Sequence, residues 1–294
     1  MIKKKTSKFR KYIEKSRAVL FGAKRKRLPM TFEIHIADGC NLNCKGCYHF
    51  SPLAPKDAIY DLDEFRRDLA RMYELFGANI GWVHLLGGEP LLNNNVIDYM
   101  RVARECLGNA EISIITNGIR LMNMSDEFFE SVKKYNILID ITRYPIAIDY
   151  DKVEEYALSK GCRVRIFGDK GGDFGMRNAS LDKNNTRSAK YNFLRCRTGG
   201  ICNSLHHGKI YYCSIPAYVC FFNEYFGENY DASQDGIDIY THTTREVVDF
   251  LRKPHNFCKY CNLEYKKSHK VKWDFSAKDK GEWTVPCDAK PNAD

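Results

Sequence analysis

At 294 residues, with 44% apolar side chains, the chain can bury a full hydrophobic core and has the make-up of an ordinary globular protein. No stretch approaches the run of roughly 18 apolar residues that a membrane span requires, and "AVLFGA", the apolar patch behind the basic start, is too short for a secretory signal, so the sequence reads as cytoplasmic. The net charge of +9 resides in residues 1–28, which hold twelve Lys or Arg against Glu14 and leave the rest of the chain at −2, so no nucleic-acid partner is expected of the folded body.

Within that basic N-terminal extension, Phe9, Tyr12, Ile13, Val19 and Leu20 fall near one helical face. Peripheral contact with anionic lipid is its functional reading, and a solvated extension its plain one. From Thr31 onward strand-like and helix-like segments alternate. "FEIHIAD" (32–38) predicts a strand. "LDEFRRDLARMYELF" (62–76) carries Leu62, Phe65, Leu69, Met72, Tyr73 and Phe76 on one helical face, with Asp61 and Glu64 spaced as a capping box. "IGWVHLL" (80–86) predicts the second strand, and "NVIDYMRVARECL" (95–107) a helix stopped by Gly108. Strand 111–116, helix 125–135, strand 137–142, helix 150–160 and strand 162–167 follow. Five β/α units in a row predict a partial parallel (β/α) barrel over residues 29–190.

After residue 190, glycines, aromatics and cysteines become frequent. "GKIYYCSI" (208–215) reads as one arm of a hairpin, "TTREVVDFLRK" (243–253) as the one remaining helix, and residues 271–294 as a polar tail. The expected organisation is therefore an α/β barrel domain followed by a small hairpin-plus-helix domain over 191–270.

Twelve cysteines in a reducing compartment point to metal ligands rather than to disulfides. Cys106 and Cys162 fit plain core positions. In a parallel β/α barrel the functional groups gather at the C-terminal strand ends, and those positions are loaded here. Cys40, Cys44 and Cys47 follow the first strand, Gly87, Gly88, Glu89 and Pro90 the second, and Thr116, Asn117 and Gly118 the third. Arg143 and Tyr144 follow the fourth, and Gly168 to Lys170 the fifth. Three thiols in eight residues leave one metal coordination position open, where four would close the site.

A CxxxCxxC stretch after the first strand with a Gly-Gly-Glu-Pro loop after the second resembles the radical S-adenosylmethionine (SAM) superfamily over about residues 31–170. The resemblance implies that Cys40, Cys44 and Cys47 hold a 4Fe–4S cluster whose fourth iron chelates SAM. It also implies that Gly87, Gly88, Glu89 and Pro90 approach the cofactor's ammonium, and that Thr116 and Asn117 contact its ribose or carboxylate. Gly46 stands where many members carry an aromatic, and Tyr48 follows the third cysteine as the cofactor-side aromatic. Arg143 would grip an anionic group, and Lys170 and Arg177 border a glycine-rich loop placed to lie over a substrate.

Cys196, a glycine-containing hairpin with Cys213, then Cys258 and Cys261 resemble the twitch domain, a shortened SPASM domain. This implies a second, auxiliary 4Fe–4S cluster, with Cys202 competing with Cys196 as a ligand. A structural zinc suits the same thiols. The expected reaction is hydrogen abstraction from a small polar substrate such as a sugar, aminocyclitol or nucleotide-sugar. Dehydrogenation comes first and epimerisation second, with Cys202 or Cys220 then returning the hydrogen atom. A flavodoxin or ferredoxin is the expected reducing partner. The alternatives are peptide modification, or a non-catalytic iron–sulfur or zinc protein.

Overall fold

The computed structural model describes residues 29–168, 179–269 and 272–286. The basic extension, Lys170, Arg177 and Cys287 lie outside the described residues. Strand β1 (Met30–Ala37) is followed by helix α1 (Leu62–Phe76), β2 (Ile80–Gly87), α2 (Val96–Leu107), β3 (Glu111–Thr116), α3 (Asp126–Lys134), β4 (Ile137–Thr142), α4 (Tyr150–Ser159) and β5 (Arg163–Phe167). Polar caps set the helix starts. Asp61 accepts the backbone N–H of Glu64 at 2.8 Å, and Ser125 that of Phe128 at 3.3 Å.

Then come α5 (Ala189–Arg195), β6 (Asn203–His206), β7 (Lys209–Tyr211), α6 (Ser214–Phe226), β8 (Gly236–Asp238), α7 (Thr244–Arg252) and α8 (Leu263–Ser268). All eight strands join one unclosed sheet in the order β5-β4-β3-β2-β1-β6-β7-β8. The first five pair in parallel, and β6 extends them by pairing in parallel with β1 before β7 and β8 turn back antiparallel. Strands from both sides of residue 190 therefore share one sheet. No helix among the described residues is long and apolar enough to cross a membrane.

Alternation along the strands separates two faces. Phe32, Ile34 and Ile36 of β1, Val83 and Leu85 of β2, and Ile112 and Ile114 of β3 are fully buried in the core that α1 and α2 complete. The opposite, inner face is polar: Glu33 and His35 on β1, His84 on β2, Ser113 on β3, Asp140 on β4 and Arg165 on β5. His84 Nδ1 lies 2.7 Å from Ser113 Oγ, and Arg165 makes two 2.5 Å hydrogen bonds to Asp140, which is fully buried.

The sequence predicts one helix after residue 190, at 243–253, and the structure adds α5, α6 and α8. Helix α6 occupies "SIPAYVCFFNEYF", whose Ser214 and Ile215 fall in the expected hairpin arm. Aromatic, β-branched residues mask it, and Pro216 falls in its first turn, where no backbone donor is lost. Gly227, in the left-handed conformation at φ 63°, ends it. Nor is the segment read as a polar tail free: over 272–286 it packs against the cysteine loop through Trp273 and Trp283. Both segments build a second core in which Phe50, Tyr218, Phe222 and Trp283 are fully buried.

That core meets β1 through histidine. The His35 ring stacks on Tyr218 at 3.6 Å, its Nδ1 meets Asp38 at 2.8 Å, and its Nε2 meets His49 at 2.6 Å. Burial lowers the pKa of His35 from 6.5 to about 3. The folded protein therefore holds this ring neutral where the unfolded chain takes a proton. Its contribution is fully present above pH 6.5 and falls as pH drops toward 3, by about 1 kcal/mol per pH unit. Denaturant midpoints at pH 7.5 and 5.5 should thus show a larger acid-side loss in wild type than in His35→Phe. Taking that difference isolates His35 from Glu89 and Asp235, whose raised carboxyl pKa values act in the opposite sense.

Candidate active site

The exit of β1 and the exit of β2 lie backbone to backbone. Gly88 N–H donates to Ala37 O and Glu89 N–H to Gly39 O, each at 2.9 Å. A Cβ at Gly87 would overlap the carbonyl of Ala37, and one at Gly88 the carbonyl of Gly39; Gly87 also has φ +147°. The glycine pair thus lets the second loop dock against the cysteine loop, a tighter requirement than room for a cofactor.

Glu89, expected as a charge beside a cofactor, is fully buried. Its carboxylate accepts Thr116 Oγ1 at 2.6 Å, Asn117 N at 2.8 Å and Leu91 N at 3.1 Å, tying the second strand end to the third. Burial raises its pKa to about 7, against the pull of those three donors. Pro90 opens a short 3-10 turn behind it. Asn117 Nδ2 donates to Asn41 Oδ1 at 2.8 Å and reaches Cys40 Sγ at 3.9 Å. Arg143 is partly spent: its Nη2 meets Asp151 at 2.8 Å, while its buried Nε has no hydrogen-bond partner.

Cys47 is close enough to raise the pKa of Cys40 and Cys44, and Cys40 that of Cys44. Burial, the Glu89 charge and Cys47 push the Cys40 thiol up to about 12; burial, Cys47 and Cys40 push Cys44 up; burial pushes Cys47 up. N–H groups nonetheless point at the sulfurs: Leu42 N to Cys40 Sγ at 3.4 Å and Trp273 Nε1 to Cys44 Sγ at 3.2 Å. Buried thiols that cannot ionise alone, with donors aimed at sulfur, fit a cationic group that takes all three as thiolates. Tyr144, half-buried, lies near the same three thiols, and desolvation and then their charges raise its pKa.

Cys196, Cys213, Cys258 and Cys261 form the second group. Burial and then the other three cysteines raise Cys213, and burial and then Cys196 bring Cys261 to about 12. Cys202 lines the same cavity. Cys220 does not: it is exposed on α6 and faces a separate cavity with His206 and Tyr211. Tyr48, expected beside the first cofactor, and Glu33 also line the cavity of the second group. Glu33 Oε1 accepts Ser214 Oγ at 2.5 Å, next to Cys213. Among the described residues no three His, Cys, Asp or Glu side chains are arranged to hold a single metal ion. A cluster asks for a wider set, since each thiolate bonds a different iron.

The sequence reading missed the strap at 272–286. Cys44 and Phe275 form an antiparallel bridge, Lys45 N donates to Asp274 O at 2.9 Å, Ser276 N to Asn43 O at 2.8 Å, and Trp283 Nε1 to Cys47 O at 2.7 Å. Two tryptophans in an otherwise polar segment were the available signal.

The family model described as Radical SAM superfamily matches residues 34–169. A GTP 3',8-cyclase of Moorella thermoacetica is 37% identical over 110 residues, which cover 36% of this chain and 33% of the relative. A GTP 3',8-cyclase of Limosilactobacillus fermentum is 32% identical over 118 residues, covering 39% and 35%. The chain thus spans about a third of the length of these curated relatives. Among solved structures, BtrN in complex with AdoMet and 2-DOIA aligns with a TM-score of 0.47 at 13% identity, covering 84% of this chain and 99% of that one. A likeness that distant says nothing about substrate.

Replacing Gly88 with Ala should force the two loops apart and destabilise the protein by about 2–4 kcal/mol, read as a lower denaturant midpoint. Full wild-type stability in Gly88→Ala would refute the docking role.

Proposed function

Residues 34–169 are a domain of the radical SAM superfamily, and on that premise we propose that the protein removes a hydrogen atom from a small polar substrate held between two cysteine groups. The domain brings with it a 4Fe–4S cluster and SAM, for which Cys40, Cys44 and Cys47 are the fitting ligands. Cys196, Cys213, Cys258 and Cys261 are the proposed ligands of an auxiliary cluster, with Cys202 at its edge. When bound, the first cluster with SAM supplies a hydrogen-abstracting radical and the second an electron acceptor.

The observation that carries this reading is Tyr48. It directly follows Cys47 and lines the cavity of the second cysteine group, so one residue step separates the first thiol loop from that cavity. The chain's own residues do the rest. The inner-face groups His84, Ser113, Asp140 and Arg165 offer donors and acceptors suited to a hydroxylated molecule. Oxidising an alcohol to a carbonyl releases a hydrogen atom, a proton and an electron, and the Glu33 carboxylate, which lines the cavity, is the proposed proton acceptor. Glu89, Thr116 and Asn117 hold the first site's loops in register. A flavodoxin- or ferredoxin-type protein is the proposed reductant.

Dehydrogenation of a sugar, aminocyclitol or nucleotide-sugar is the first reading. Epimerisation is the second; there Cys202, which lines the cavity of the second cysteine group, is preferred to Cys220 as the residue that returns a hydrogen atom. The relatives named for GTP cyclisation favour a nucleotide among the substrates to be tried, although the match leaves about two thirds of each relative uncovered.

Anaerobic reconstitution tests the reading. Wild type should take up about eight irons and Cys258→Ala/Cys261→Ala about four, counting four per cluster, and both should form 5′-deoxyadenosine on reduction with SAM. Formation of 5′-deoxyadenosine by a Cys40→Ala/Cys44→Ala/Cys47→Ala variant would end it. Once a substrate is found, solvent deuterium at carbon in the product would select epimerisation over dehydrogenation.

A further inference from the structure

We propose that Trp273, delivered by the C-terminal strap, is a positioning residue that raises the reduction potential of the first cluster by donating its indole N–H to the sulfur of Cys44. This rests on the reading that Cys40, Cys44 and Cys47 hold that cluster. The donor stands 3.2 Å from Cys44 Sγ, and Cys44 is only 8% exposed. The indole is fixed from both sides, by Tyr144 with ring centroids 6.1 Å apart and by Phe275 at 4.9 Å.

The backbone holds it there as well. Lys45 and Ser276 donate across the strap at 2.9 and 2.8 Å on either side of the Cys44–Phe275 bridge, and Asn43 Nδ2 adds a bond to Ser276 O at 3.1 Å. The carboxylate of Glu282 closes the strap on itself, accepting Ser276 Oγ at 2.6 Å and Ala277 N at 2.7 Å. An N–H fixed on a thiolate sulfur stabilises the more negative, reduced cluster over the oxidised one, and hydrogen bonds to sulfur are among the levers that set cluster potentials. Trp283 differs: its N–H is spent on the carbonyl of Cys47, not on a sulfur.

The test is a redox titration of the reconstituted protein followed by electron paramagnetic resonance, using the signal that changes on adding SAM to identify the first cluster. Trp273→Phe keeps a ring but loses the donor. Its reduction equilibrium should fall about tenfold, about 59 mV for one electron. Phe275→Leu, which loosens the indole's packing but keeps its N–H donor, should shift the potential less than Trp273→Phe does. An unchanged potential in Trp273→Phe, or equal shifts in both variants, overturns the proposal. Should Trp273→Phe fail to take up iron, wild type labelled with 15N-indole tryptophan carries the test: a 15N coupling on the cluster signal supports the proposal and its absence overturns it. If the wild type forms no SAM-responsive cluster at all, the underlying assignment of Cys40, Cys44 and Cys47 fails instead.

Discussion

The site depends on one close approach, that of the backbone leaving β1 to the backbone leaving β2. Two 2.9 Å hydrogen bonds join Ala37 and Gly39 to Gly88 and Glu89, with no room for a side chain between them. From that seam the cysteine loop goes one way and Glu89 the other. Glu89 carries the constraint onward to Thr116 and Asn117, and Asn117 returns to Asn41 in the cysteine loop. Three strand ends are thereby locked into one frame before any cofactor is considered. A carboxyl without solvent exposure and with three donors serves this better than a solvated one, because an unsatisfied partner there would be costly.

The barrel half of the chain was legible because its helices are amphipathic, capped by Asp61 and Ser125, and separated by strands of Ile, Val and Leu. Local pattern and global fold agree there. The CxxxCxxC stretch and the Gly-Gly-Glu-Pro loop were legible for a different reason: their spacing is dictated by chemistry. Helix α6 was not, since its residues favour strands as isolated units and become helical where Tyr218 and Phe222 find partners on two sides. The role of 272–286 was hidden too. Its contacts with the cysteine loop are hydrogen bonds to backbone and sulfur, which leave no periodicity to read. Cys202 and Cys196 stayed unresolved in the sequence because both precede the hairpin; in the fold Cys196 raises the pKa of Cys213, Cys258 and Cys261, and Cys202 lines the same cavity.

The two faces of the sheet divide the work. Outward-facing Ile and Val bind the helices, while the inward-facing row runs from Glu33 through His84 and Asp140 to Arg165. A stability argument alone would have placed apolar side chains there. The polar row is sustained by internal pairing, the Asp140 carboxylate with Arg165 and His84 with Ser113. Its geometry is therefore set by contacts within the protein, as a preformed recognition surface requires.

The indole of Trp273 reaches a sulfur 229 positions earlier in the chain. During synthesis, the thiol loop therefore emerges and the sheet assembles around it long before its cover exists. Contacts that span such a separation form late. The thiol loop is thus made before its cover, and Cys44 gains its indole donor only when 272–286 docks.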